Sequence, residues 1–338
     1  MRISPEKLLP PLQKIDLITC DIDGTLLSNK GLADENLDIL ADFIRRHNIP
    51  FTIASGRSLE GLTKVAHRLQ LADYPLIGDN GAVVYSNVTD AEILYEELLF
   101  APQTGTAVAQ LTAAYGSHLE NLILPYTFPS NMNTQTGEAA LAPQKYSVDL
   151  LKAIYIYKVL RFAAANNIAS SYASSHRERA FAPHALWEVE YLTDDLATTY
   201  VPLDFAAFSR LPVYKIFLLT DEKHSEQKEV FDQISAWLAP LAQELNIIRY
   251  GSYMLDIMLK NVDKSKGVIF LQKHSPYRHI AAIGDALNDL GMLKAADISG
   301  CVANAQAELF AWTDFHASGS YNAGVLEFLK FLLRENYL

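Results

Sequence analysis

Residues 18–25 read Ile-Thr-Cys-Asp-Ile-Asp-Gly-Thr (ITCDIDGT), an apolar run that breaks into two aspartates one residue apart and then into a glycine turn. Like charges placed this way repel one another unless a cation or a reaction uses them. A carboxylate at a strand end is a competent nucleophile toward a phosphoryl group, splitting one hard displacement into two easier ones, and Asp21 is placed for that. Asp23, two residues on, is placed to protonate a leaving oxygen and then to deprotonate an attacking water. Gly24 and Thr25 let the chain turn sharply away. Taken alone, the stretch also reads as a strand-terminal turn with two solvated acids.

Three more runs have the same design: IPFTIA (49–54) before Ser55, YPLIG (74–78) before Asp79 and HIAAIG (279–284) before Asp285. Short continuous apolar runs followed by helical patterns predict parallel strands covered on both faces. Between the first two, Leu37, Leu40, Ala41 and Ile44 recur at helical spacing and close a β-α-β unit. The sequence therefore predicts an α/β protein with a Rossmann-like parallel sheet. In such sheets ligands sit beyond the carboxyl ends of the strands, so the polar residues ending these runs are expected to converge.

The run at 279–284 ends in Asp285, Asn288 and Asp289, within GDALND (284–289). Mg²⁺ takes oxygen ligands in near-octahedral geometry, commonly one or two carboxylates, waters and a substrate phosphate. Asp21, Asp285 and the main-chain carbonyl of Asp23 would suffice; by itself GDALND is also a capped turn. A phosphate dianion further needs donors and positive charge. Ser55 and Gly56 offer a hydroxyl and loop amides at a helix start, although Ser55 alone also reads as an N-cap. Lys264 and Lys266, in NVDKSKG (261–267), are the cationic candidates ahead of the next helix.

The chain has 338 residues, half of them hydrophobic, which predicts two domains with a core in each. Its net charge of −11 excludes nucleic acid and anionic membrane surfaces as expected partners, since no local basic patch overrides it. Cys20 and Cys301 each lie in an apolar run and read as small core residues of a reducing, cytoplasmic setting. The first 16 residues show no continuous apolar signal region, and no stretch of about 20 apolar residues occurs. From about Glu92 to Met258, strand-like runs (ILYEELLF, NLILPYTF, LWEVEYL, YKIFLLT, NIIRYG, YMLDIML) mix with helical ones around 146–165 and 226–245. This predicts an α+β domain inserted into the first, with residues 1–86 and 259–338 forming the core and 87–258 the insert. Residues 129–144 read as a mobile loop. His176, Arg177 and Arg179 read as a solvated basic group, and Trp187 with Tyr191 as core of the insert.

Together, Asp21-Ile-Asp23-Gly24-Thr25, the hydroxyl in Ser55-Gly56-Arg57, a lysine before a helix and Gly284-Asp285-x-x-Asn288-Asp289 resemble the four motifs of the haloacid dehalogenase superfamily, in the same order. IGDNGAVVY (77–85) and Cys301-Val302-Ala303-Asn304-Ala305 narrow the resemblance to its Cof-type sugar-phosphatase branch. The resemblance implies Asp21 as nucleophile, Asp23 as acid and base, and Ser55, Gly56, Lys264 and Asn288 around the phosphate. It implies Mg²⁺ at Asp21, Asp23, Asp285 and Asp289. LDIMLKNVDK (255–264) lines up on the branch's strand-loop-lysine pattern and puts Lys264 at the motif position, with Lys266 the alternative. It also implies an insert acting as a cap that selects the substrate. The expected activity is Mg²⁺-dependent hydrolysis of small phosphomonoesters such as sugar phosphates through an aspartyl-phosphate. The rivals are a phosphomannomutase-like phosphotransferase and a catalytically silent binding protein.

Overall fold

The apolar runs become strands in the computed structural model, which describes residues 14–28, 30–99, parts of 152–163, 168–174, 177–181, 199–201, 212–219, 227–250 and 254–338. The chain divides into two compact units, one formed by Met1–Glu97 with Val262–Leu338 and the other by Leu98–Asn261.

In the first unit, β1 (Leu17–Asp21), β2 (Phe51–Ala54), β3 (Leu76–Gly78), β4 (Val83–Tyr85) and β5 (Ile93–Glu96) join three strands from the far end of the chain. These are β12 (Ile280–Gly284), β13 (Ile298–Cys301) and β14 (Phe315–His316). The sheet order is β14-β13-β12-β1-β2-β3-β4-β5. From β14 to β3 the pairing is parallel, and β4 and β5 extend the edge antiparallel. Every residue of β1, β2, β3 and β12 is buried, as the unbroken apolar runs require. Helix α1 (Asn36–Arg46) buries Leu37, Leu40, Ala41 and Ile44, the four predicted positions. Helix α2 (Leu59–Arg68) follows β2 and buries Leu59, Leu62, Val65 and Ala66.

The second unit holds β6 (Ala169–Ser174), β7 (Arg177–Phe181), β8 (Thr199–Val201), β9 (Lys215–Leu219), β10 (Leu245–Tyr250) and β11 (Met254–Leu259), in the order β10-β11-β9-β6-β7-β8. Helix α3 (Gln227–Leu238) contributes Phe231, Ile234, Trp237 and Leu238 to a core shared with Ile216, Leu218, Leu255 and Ile257. It gives way to a short 3₁₀ turn, Ala239–Leu241, where Pro240 removes a backbone donor.

The units divide at 97/98 and 261/262, rather than at 86/87 and 258/259. The sequence pattern puts the run ILYEELLF in the insert, but β5 pairs with β4 and Tyr95 stacks on Phe270 of the first unit, ring centroids 5.2 Å apart. The signal for this hairpin was the polar turn before it, in which Asn87 Oδ1 accepts the amides of Thr89 and Asp90. The runs at 121–128 and 186–192, the loop 129–144, and His176, Trp187 and Tyr191 lie outside the described residues, as do the side chains of Arg177 and Arg179. Among the described residues no helix is long and apolar enough to cross a membrane.

Candidate active site

Strand register brings distant residues to one edge. Asp21, the last residue of β1, pairs with Ala54 of β2, so Ser55 follows immediately on the neighbouring strand. On the other side Cys20 pairs with Ile283 of β12, which places Gly284 beside Asp21 and Asp285 just beyond. Adjacent strands lie about 4.8 Å apart, so these ends crowd together. Helix α4 (Ser265–His274) starts at the same edge and brings Lys264 as its N-cap.

Lys264 is 1 % exposed, and its ammonium group donates to Asp21 Oδ1 and, at 2.6 Å, to Asp289 Oδ1. Burial opposes its charge, yet Asp21 and Asp289 prevail and hold its pKa well above the ordinary lysine value. Asp289 is fully buried, and its second oxygen accepts the amides of Asp285 (3.0 Å) and Ala286 (3.1 Å). Both Asp289 oxygens thus hold parts of the site in place. Asp285 accepts from Thr25 Oγ1 at 3.0 Å, while burial and Asp289 push its carboxyl up to about 6. Asp21 is raised in the same sense by burial and by Asp289, against the pull of Lys264.

One oxygen from each of Asp21, Asp285 and Asp289 lies within 4.8 Å of the others. Among the described residues, three carboxylates share a single ammonium group here, and Asp21 Oδ2 is buried without a hydrogen-bond donor. Unbalanced negative charge in a site where Asp21 and Asp289 are buried and Asp285 half-buried, with a free oxygen lone pair, suits a hard divalent cation such as Mg²⁺.

The remaining predicted residues surround this cluster in different ways. Ser55 is buried, its Oγ accepting the Arg57 amide at 3.2 Å. Its carbonyl accepts from Asn80 N at 2.9 Å, and the Arg57 carbonyl from Asp79 N at 3.0 Å, so the 55–57 loop is fastened to the turn at 79–81. Gly56 sits half-buried between them, and Asn288 is half-buried on the 284–289 turn. Asp23 is not in the carboxylate cluster: its side chain is held by Arg57. Lys266 is half-buried, while Lys264 makes the contact with Asp21. Three positioning contacts were not read from the sequence: Thr25 on Asp285, Arg57 on Asp23, and Asn304 Nδ2, which donates to the Gly24 carbonyl at 2.7 Å. All three residues lie in quoted motifs, but nothing local in those motifs names their partners.

A mostly parallel sheet whose carboxyl edge gathers an acid cluster, a lysine and a serine loop is equipped to hold a phosphoryl group beside a carboxylate. The model of the haloacid dehalogenase-like hydrolase family matches residues 18–124 and 139–329, and the chain belongs to that family. Phosphatase YwpJ of Bacillus subtilis is 23 % identical over 322 residues, covering 94 % of this chain and 99 % of that protein. The crystal structure of a haloacid dehalogenase-like hydrolase from Bacteroides thetaiotaomicron superposes with a TM-score of 0.65 at 19 % identity, over 94 % of this chain and 100 % of that one. The HAD subclass IIB sugar phosphatase BT4131 gives 0.59 at 16 %, over 95 % and 99 %.

Proposed function

We propose that the chain is a Mg²⁺-dependent phosphatase of small phosphorylated metabolites, sugar phosphates foremost, acting through an aspartyl-phosphate on Asp21. The observation that carries this reading is the meeting of Asp21, Lys264, Asp285 and Asp289, drawn from both ends of the chain, in one buried cluster. The sugar-phosphate part rests on likeness to a sugar phosphatase of the same fold.

In the first step Asp21 forms a bond to phosphorus as the ester P–O bond breaks, and Asp23 gives its proton to the departing alkoxide oxygen. In the second, Asp23 takes a proton from water as its oxygen attacks phosphorus, and the Asp21–phosphorus bond breaks. Inorganic phosphate leaves and both aspartates return to their starting states. Ser55, the Gly56 amide and Asn288 bind phosphate oxygens, and Lys264 holds Asp21 in direction and adds positive charge. Mg²⁺ would be held by Asp21, Asp285 and the Asp23 carbonyl, with Asp289 fastening Lys264 and the 284–289 turn around it. When bound, the ion neutralises charge on the transferring group.

A panel of phosphorylated metabolites, read by release of inorganic phosphate, tests the reading. Asp21→Asn is expected to abolish release on every substrate, and full retained activity would refute the nucleophile. An isomerised sugar phosphate in place of free phosphate would identify a mutase instead.

A further inference from the structure

We propose that Arg57 is a positioning residue for proton transfer by Asp23, an inference that rests on the reading above. Its Nε donates to Asp23 Oδ2 at 2.9 Å and its Nη2 to Asp23 Oδ1 at 2.6 Å, a two-pronged grip that fixes the carboxylate in both direction and plane. The partners are unequally placed: the Arg57 side chain is 5 % exposed and that of Asp23 is 43 % exposed. The guanidinium is therefore a fixed anchor, and the carboxylate is the end that reaches solvent and, with it, an arriving substrate.

The anchor is itself held. The Arg57 carbonyl accepts from Asp79 N and its amide donates to Ser55 Oγ, so the backbone carrying the guanidinium is tied on both sides. Its stem lies across the first turn of α2, where Gly61 makes room: a Cβ at Gly61 would stand 3.0 Å from Arg57 Cβ and 3.3 Å from Cδ. Arg57 precedes the helix and Gly61 lies in its first turn, so the space is supplied by the element the arginine leads into. Asp23 lies two residues beyond the end of β1 in a loop closed by Gly24 N donating to the Leu27 carbonyl, and its carboxylate is directed by Arg57.

The chemical consequence follows from the timing of the proton. When Asp23 has given its proton to the leaving oxygen it becomes a carboxylate, and a fork already in place receives that charge without rearrangement. The same fork keeps the carboxylate aimed for the water step that follows. Arg57 acts here through Asp23, so its importance should track how much help the leaving oxygen needs.

The test compares an alkyl phosphate, whose alkoxide needs a proton, with 4-nitrophenyl phosphate, whose phenolate does not. Release of the alcohol or phenol is followed in the first turnover, so that the water step does not mask the result. Arg57→Gln is expected to slow the alkyl ester more than about tenfold and the aryl ester less than about threefold, the pattern of a lost general acid. Asp23→Asn should show the same selectivity, and adding Arg57→Gln to it should slow neither ester further. Arg57→Lys, which keeps the charge and loses the fork, should fall between. Equal losses on both esters, or full additivity in the double variant, would overturn the proposal while leaving the phosphatase reading intact. A wild-type protein that turns over neither ester would instead sink the reading itself.

Discussion

Lys264 carries its charge into a space closed to water, where Asp21 and Asp289 receive it. A buried charge is tolerated only with partners, and removing one partner of such a group costs about 3–5 kcal/mol. Lys264→Met should therefore destabilise the fold by about that amount near neutral pH. Because Asp21 then loses the neighbour that lowers its pKa, the deficit should shrink as acid neutralises the Asp21 carboxylate. Urea unfolding at about pH 7 and about pH 5 checks this, and a loss equal at both would contradict the charge argument. At this scale the sequence is legible where one residue ends one apolar run, as with Asp21, Ser55 and Asp285. The choice between Lys264 and Lys266 stays open in the sequence because both stand at the start of one helix, Lys264 as its N-cap and Lys266 in its first turn, and only the packing of α4 decides which one is buried. The Arg57–Asp23 pair was hidden for another reason: it joins two loops 34 residues apart, and nothing local marks such a partner.

The turn at 79–81 shows how one small element sets two others. Asp79, Asn80 and Gly81 all take left-handed backbone conformations, with φ of 49°, 54° and 90°. In this shape the turn gives its amides to the 55–57 loop while Gly81 lies against the carbonyl of Asp263 and the Cα of Lys264. Gly81→Ala adds both a strained φ and a clash with the backbone that carries the lysine. It should cost about 1–3 kcal/mol and weaken competitive inhibition by inorganic phosphate. Gly31→Ala is the control: φ there is 56° but nothing lies within 4 Å, so only strain is added and phosphate inhibition should not change. If both variants bind phosphate like the parent, the turn does not position the lysine. Elements buried on both faces were readable because they announce themselves as unbroken apolar runs. Strand β5 is an exposed edge, so its affiliation depends on Tyr95 meeting Phe270 and does not show in its own pattern.

For the whole molecule, the acid cluster couples stability to pH and to metal. Asp285 titrates near 6 when folded, against about 4 in an unfolded chain. Asp21 shifts the same way. The folded state thus holds these protons more tightly; the Asp285 contribution is full at low pH and is lost as pH rises from about 4 through about 6, and that of Asp21 is likewise lost on raising the pH. A divalent cation competes for the same oxygens. Mg²⁺ should therefore raise the melting temperature more at about pH 7.5 than at about pH 5, where protons occupy the cluster. A shift of the same size at both would remove the ion from these carboxylates. One architectural fact reaches back to how the protein is made. Leu17 of β1 pairs in register with Ile280 of β12, whereas the second unit, Leu98–Asn261, is continuous in sequence. On the ribosome, the intervening unit is fully synthesised while one flank of β1 still awaits its neighbour, β12. A nascent chain halted before that point carries a bare strand edge ending in Asp21, open to misassembly, and no assembled catalytic centre.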